Sequence, residues 1–239
     1  MKTEPSDIIK KFASTKDYFS LDQLREHLNS LMLDYSDIAI KKYLKNISDQ
    51  KIIFSAGRGY YSTIPKVLEL SDENLQSLIE VIIQKYPFVK FSVWSTKTIS
   101  FAFHHLQNRF YTFILAEKDA LIFLRDFLVE KKYDVYLNPS PDELDKNVLL
   151  KDGSIILRPS VTRSKAISNI ASIEQILIDF YVEKDRLKLI DESEYKRVFS
   201  YIISNFRISI SSLLTYAERR KIHAEMKLFI EKYTNATFG

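Results

Sequence analysis

The side chains best spaced for chemistry are cations. Lys41, Lys42 and Lys45 lie close together, and Arg58 stands between Gly57 and Gly59 a short way downstream. Lysine is a point charge on a flexible stem and arginine a rigid fork of donors. Both neutralise phosphate, so the group suits a nucleic-acid backbone, where affinity comes from displacing counterions rather than from making bonds. Placement carries more of this reading than amount. Residues 41–61 hold five cations, Lys41, Lys42, Lys45, Lys51 and Arg58, against Asp49, whereas residues 1–65 hold ten Lys or Arg against eight Asp or Glu, and the whole chain has a formal charge of only +4. The arginine between two glycines reads as the tip of a tight hairpin, because such turns often need left-handed backbone that glycine adopts without steric cost.

Other chemistry finds less support. His104 and His105 are adjacent, and on the helix expected over residues 98–107 neighbours point about 100° apart, too divergent to share a metal easily. Gly153-Ser154 matches the glycine-serine pair with which nucleotidyltransferases hold a triphosphate. That chemistry needs two carboxylates on the following strand to bind a divalent metal. Here Ile155-Ile156-Leu157-Arg158 follows, and Glu143 and Asp145 lie upstream in a proline-bounded loop. A hairpin turn is the better reading of Lys151-Asp152-Gly153-Ser154. With no cysteine and glycines only at 57, 59, 153 and 239, thiolate chemistry, a P-loop and a dinucleotide fingerprint are all excluded. No catalytic residue, metal or cofactor is expected, and the protein is read as a non-enzyme.

The elements that must carry the cations have their own punctuation. Ser20 precedes Gln23 by the spacing of a capping box and starts a helix bearing Leu21, Leu24 and Leu28. Ser36 starts another, in which Ile40, Leu44 and Ile47 recur at helical spacing while Lys41, Lys42, Lys45 and Asp49 fall on the opposite side. An amphipathic helix over residues 6–14, with Ile8, Ile9 and Phe12, completes a small core. Ile52-Ile53-Phe54 and Tyr60 to Ile64 flank the glycine turn as strands. Helix, helix and hairpin together are the plan of a winged helix-turn-helix, assigned to residues 1–66, with Arg58 held at a protruding tip.

Residues 67–239 read as an α/β domain with C-terminal helices, so the fold class is α+β. Helices are expected over residues 74–85, 117–131, 172–184, 193–205 and 211–233, and strands over 88–94, 111–115 and 133–137. Residues 138–145 read as a loop, and Val148 to Leu150 and Ile155 to Leu157 as the arms of the hairpin. The polar stretch from Arg158 to Lys165 is either a solvated linker or a second anion-facing loop, with Arg163 and Lys165 as its contacts. In the last helices Ile210, Leu213, Leu214, Ala217, Met226, Phe229, Ile230 and Tyr233 form an apolar stripe beside Glu218-Arg219-Arg220-Lys221. Packing against the second domain is its default use. Dimerisation, or a further anion contact by Arg219 and Arg220, is the sharper one. No run of about 18 apolar residues occurs, and Met1-Lys2-Thr3-Glu4-Pro5 leads into charged sequence, so a soluble cytoplasmic protein is expected.

This layout resembles the AbiEi-like antitoxins of bacterial type IV toxin-antitoxin, abortive-infection systems. The segment Ala56-Gly57-Arg58-Gly59-Tyr60-Tyr61 is similar to the Arg-Gly-aromatic wing of that family, and the helix Ser172-Ile173-Glu174-Gln175-Ile176-Leu177-Ile178-Asp179 to one in its second domain. The resemblance implies a transcriptional regulator that binds double-stranded DNA at its own promoter. It also implies a functional partner, a nucleotidyltransferase-like toxin countered without a stable complex, and a second domain of nucleotidyltransferase-like shape without catalytic acids. The chain differs from that family in the acids Asp22 and Glu26 of its second helix. The competing readings are a divergent nucleotidyltransferase-like enzyme and a winged-helix module that docks a protein. In the favoured reading Ser36 opens the DNA-reading helix, Lys41, Lys42 and Lys45 meet phosphates or guanine edges, and Arg58 lies in or beside the minor groove.

Overall fold

Ser20 Oγ accepts the backbone N–H of Gln23 at 3.1 Å, and Gln23 Oε1 accepts that of Ser20 at 2.9 Å. This reciprocal cap satisfies donors that every helix start leaves orphaned. In the computed structural model, which describes residues 4–70, 72–104, 107–146, 150–161 and 169–233, it opens the second helix of the order α1 (Pro5–Ala13), β1 (Tyr18–Ser20), α2 (Leu21–Ser30), α3 (Asp37–Asp49), β2 (Phe54–Ser55), β3 (Tyr60–Ser62). The strands form an antiparallel sheet ordered β1-β3-β2, with Ser62 opposite both Tyr18 and Phe54. Ile9 and Phe12 of α1, Leu24 and Leu28 of α2, and Ile40, Leu44 and Ile47 of α3 meet Phe19 and Ile53 in one core. The apolar stripes of the sequence are the buried ones. β1 is not foreseen, because its 3 residues are too few for an alternating pattern.

The next elements are α4 (Glu73–Lys85), β4 (Phe91–Ser95), a 3-10 turn (Thr96–Ala102), β5 (Thr112–Ala116), α5 (Ala120–Glu130), β6 (Val135–Leu137), α6 (Pro141–Lys146), β7 (Ile155–Pro159) and α7 (Ile173–Arg186). Their sheet runs β4-β5-β7-β6, antiparallel between β4 and β5 and parallel elsewhere. Phe91, Val93, Ile114, Ile155 and Leu157 pack with α4 and α5. From the other face, Ser92 accepts a hydrogen bond from Gln175, Trp94 meets the ring of Phe180, and Arg158 pairs with Glu183, all on α7. Cover on both faces explains why β5 and β7 read as apolar runs rather than as alternation.

Three local expectations change. Ser154 N–H does close a turn on Lys151 O at 3.2 Å, yet β7 is flanked on both sides by parallel strands, so the turn belongs to a crossover and not to a hairpin. Val148 and Leu149 lie outside the described residues, and Leu150 is in no strand. The loop expected over residues 138–145 contains α6. The helix expected over residues 98–107 is the 3-10 turn, begun by Ser95 Oγ accepting Lys97 N–H. His104 therefore follows a tight turn, its N–H donating to Glu194 Oε1 at 2.6 Å; His105 lies outside the described residues.

α8 (Glu192–Asn205), α9 (Ile210–Arg219) and α10 (His223–Tyr233) complete the elements of the described residues. Its compact units are Met1–Leu68 with Phe199–Gly239, and Glu69–Val198. The expected division at residue 66, with everything after it in a second domain, thus changes for the last helices, which group with the N-terminal elements. The physical reason lies around Tyr18, whose buried hydroxyl donates to Phe206 O at 2.7 Å and accepts Ile208 N–H at 3.1 Å. Arg207 adds a backbone bond to Lys66 O at 2.7 Å and sets its guanidinium 4.5 Å from the centre of the Phe54 ring. Nor is the stretch 211–233 one helix. Ile222 N–H returns to Ala217 O at 2.9 Å and Lys221 takes φ +62°, which ends α9. Among the described residues no helix is long and apolar enough to cross a membrane.

Candidate nucleic-acid interface

Ser36 caps α3, its hydroxyl accepting Ala39 N–H at 3.3 Å. With Ile40, Leu44 and Ile47 buried in the core, helical geometry turns Lys41, Lys42 and Lys45 outward, and all three are exposed. None of them makes an ion pair with another described residue. The acids nearby are differently placed. Arg25 Nη1 lies 2.6 Å from Asp22 and Nη2 lies 2.7 Å from Asp37, so one arginine ties α2 to the first turn of α3 and answers both carboxylates. The hydrogen bond it donates to Asp37 holds the pKa of that guanidinium above its ordinary value. Asp22 therefore detracts less from the basic face than the sequence alone suggests.

The hairpin is braced where the sequence reading leaves it protruding. Gly57 and Gly59 take φ +98° and +79°, and Tyr60 N–H closes the turn on Gly57 O at 3.1 Å. One side is held by Leu21 N–H, donating to Gly59 O at 2.9 Å; on the other, Ile210 N–H donates to Ala56 O at 2.8 Å. Arg58 N–H itself donates to Ser211 Oγ at 3.0 Å. A Cβ on Gly57 would collide with Ser211 Oγ and lie 2.7 Å from Ser209 Oγ. The Arg58 side chain is exposed on a backbone fixed by α2 and α9. Ser209 and Ser211 are the contributors that sequence reasoning missed, since nothing local links them to residue 58.

A protein-family profile matches residues 39–236; it is that of DUF6577, a family of unknown function. The chain belongs to DUF6577. No curated protein matches it. The DUF6577 match starts inside α3 and takes in the lysines, the braced hairpin, the sheet of the second unit and the elements through α10.

The remaining sequence candidates of this DUF6577 chain separate. Arg163 and Lys165 lie outside the described residues. Arg158, the first residue of their polar stretch, spends its charge on the buried carboxylate of Glu183 and is closed to an outside anion. Arg219 is exposed in the last turn of α9, and Arg220 is half-buried as its C-cap. In the second unit a cleft of about 390 Å³ is lined by Asp72, Ser95, Lys97, Thr112, Tyr133 and Asp152 among others. Its acids hold the backbone: Asp72 accepts Asn74 N–H at 3.0 Å and Asp152 accepts Phe110 N–H at 2.7 Å. The Ser154 hydroxyl, half of the glycine-serine pair, donates to Asp134 Oδ2 at 2.6 Å and accepts Lys151 N–H at 2.9 Å. Among the described residues no three His, Asp or Glu gather as a metal site.

α3 also carries a residue that the periodicity argument passes over. Ile38 is 82% exposed, on the same outward face as Lys42 and Lys45. The signal was present in its spacing, which is out of step with Ile40, Leu44 and Ile47.

Proposed function

We propose that this protein is a sequence-specific DNA-binding transcriptional regulator, its N-terminal unit a winged helix-turn-helix with α3 in the major groove and Arg58 on the wing. The observation that carries the reading is the outward face of α3: three exposed lysines, none in an ion pair among the described residues, on a helix whose opposite face is locked into the core. The element order α1-β1-α2-α3-β2-β3, with β3 central in an antiparallel sheet, supports it. So does the bracing of Arg58, because a cation on a fixed loop loses less freedom on meeting a phosphate. The resemblance to AbiEi-like antitoxins extends the proposal: the regulator represses its own operon from the cytoplasm and counters a nucleotidyltransferase-like toxin without a stable complex. The second unit then contributes a nucleotidyltransferase-like shape and no catalytic acids.

The test is binding to the DNA upstream of its own reading frame, followed by fluorescence anisotropy over a range of salt. Neutralising about five phosphates gives a log-log slope of roughly −4 to −5. Lys42→Ala and Arg58→Ala should each weaken binding and flatten that slope by about one unit. Affinity that ignores salt, or that survives both substitutions, rejects the assignment. Nucleotide transfer by the purified protein with Mg²⁺ would favour an enzyme instead, and a stable protein partner with no DNA shift would favour a docking module. Rescue of growth on coexpression with a nucleotidyltransferase-like product of the adjacent frame tests the antitoxin role.

A further inference from the structure

An aliphatic side chain among cations, contributing nothing to a core, asks for an explanation. Ile38 is the second residue of α3, 82% exposed, and β-branched residues are poor helix formers. Neither packing nor propensity accounts for it. Its position relative to the lysines is regular: Ile38, Lys41, Lys42 and Lys45 stand at i, i+3, i+4 and i+7. At about 100° per residue, Lys41 lies about 60° to one side of Ile38 and Lys42 about 40° to the other, while Lys45 lies nearly in line, about 10 Å further along. An apolar ridge near the helix start is thus flanked by cations.

That arrangement complements a major groove, where phosphates form both walls and the floor offers one apolar feature, the 5-methyl group of thymine. The first turns of a reading helix are the part that reaches base edges. On the DNA-binding reading set out above, we infer that Ile38 packs against a thymine methyl and makes this protein prefer thymine at one position of each site. The lysines on either side supply affinity without sequence information. Charge complementarity selects DNA as the occupant: a protein surface seated on Ile38 would have to bury or match the same three lysines.

Removing the methyl alone tests this. A duplex enriched by the full-length protein from a randomised pool is resynthesised with deoxyuridine in place of each thymine in turn, which leaves every hydrogen-bonding group unchanged. At one thymine per site the wild type should bind about fourfold more weakly without the methyl. Ile38→Ala should bind the thymine duplex more weakly and no longer distinguish thymine from uracil there, Ile38→Val should keep most of the distinction, and Lys42→Ala should keep the ratio while binding more weakly throughout. Because Ile38 lies outside the core and alanine is the better helix former, the circular dichroism of Ile38→Ala should match the wild type and its urea midpoint should not fall below it. Salt-dependent binding in which no thymine-to-uracil change matters, or in which Ile38→Ala keeps the wild-type ratio, overturns the role of Ile38 and leaves the DNA-binding reading standing. Failure of the protein to enrich any duplex overturns both.

Discussion

Arg158 and Glu183 bury an ion pair beneath α7, with side-chain exposures of 4% and 1%. The guanidinium spends its other donors on Asn138 Oδ1 at 3.1 Å and Pro139 O at 2.8 Å. Attraction inside a protein roughly offsets the desolvation of such a pair, but one charge left alone is costly. Glu183→Ala is expected to lower stability by about 3–5 kcal/mol in urea denaturation, and Arg158→Met with Glu183→Leu to lower it far less; equal losses would contradict this account. The glycines of the hairpin give a second contrast. Gly59→Ala meets open space and bears only the left-handed backbone, about 1–2 kcal/mol. Gly57→Ala meets Ser211 as well, so it should cost more. Ser211→Gly should recover part of that excess while leaving the cost of Gly59→Ala unchanged.

At the scale of elements, the helices end in an unusual way for a chain with so few glycines. Met32, Lys51, Lys132, Lys188 and Lys221 all take left-handed φ between +50° and +68°. In each case the following N–H returns to the carbonyl that closes a Schellman turn, as in Leu33 to Leu28 and Ile52 to Ile47. The lysines set a cation at the negative end of a helix, which offsets part of the strain; Met32 has no such compensation. Met32→Gly should therefore stabilise the protein by about 1 kcal/mol in urea denaturation, and Lys51→Gly by less. Helix starts were legible because Ser20, Ser36 and Ser172 sit at cap positions that only local chemistry decides, and the core stripe of α3 was legible from its period. Most helix stops were legible too, with Lys85 and Asn205 falling where expected, but the break between α9 and α10 and the left-handed cap residues were not, since the pattern names glycine and the chain uses lysine. Nor was the parallel pairing of β7, because a buried apolar run looks the same whichever neighbour it meets. The lysines and Arg58 of the candidate site could be read from spacing, whereas Ser211 contacts Arg58 from 153 residues away.

For the whole molecule, the grouping of Phe199–Gly239 with Met1–Leu68 matters most. Tyr18 finds both partners of its buried hydroxyl in Phe206 and Ile208, and a buried hydroxyl without partners costs about 1–3 kcal/mol. A fragment ending at residue 68 should accordingly melt below the corresponding transition of the full chain and lose amide protection around β1. Protection equal to that of the full chain would show that the last helices are passengers.

The same long-range bonds impose an order of events during synthesis. Tyr18 leaves the ribosome early, but its partners lie 188 and 190 residues further on. At roughly 5–20 residues per second the N-terminal helices wait on the order of ten seconds or more, while the segment Glu69–Val198 emerges and gathers its own core. Only then does Ser211 arrive to fix the backbone of Arg58. A chain interrupted before that point carries the lysines of α3 but not the braced hairpin, so the N-terminal unit is finished only after the whole of the segment Glu69–Val198 has been made.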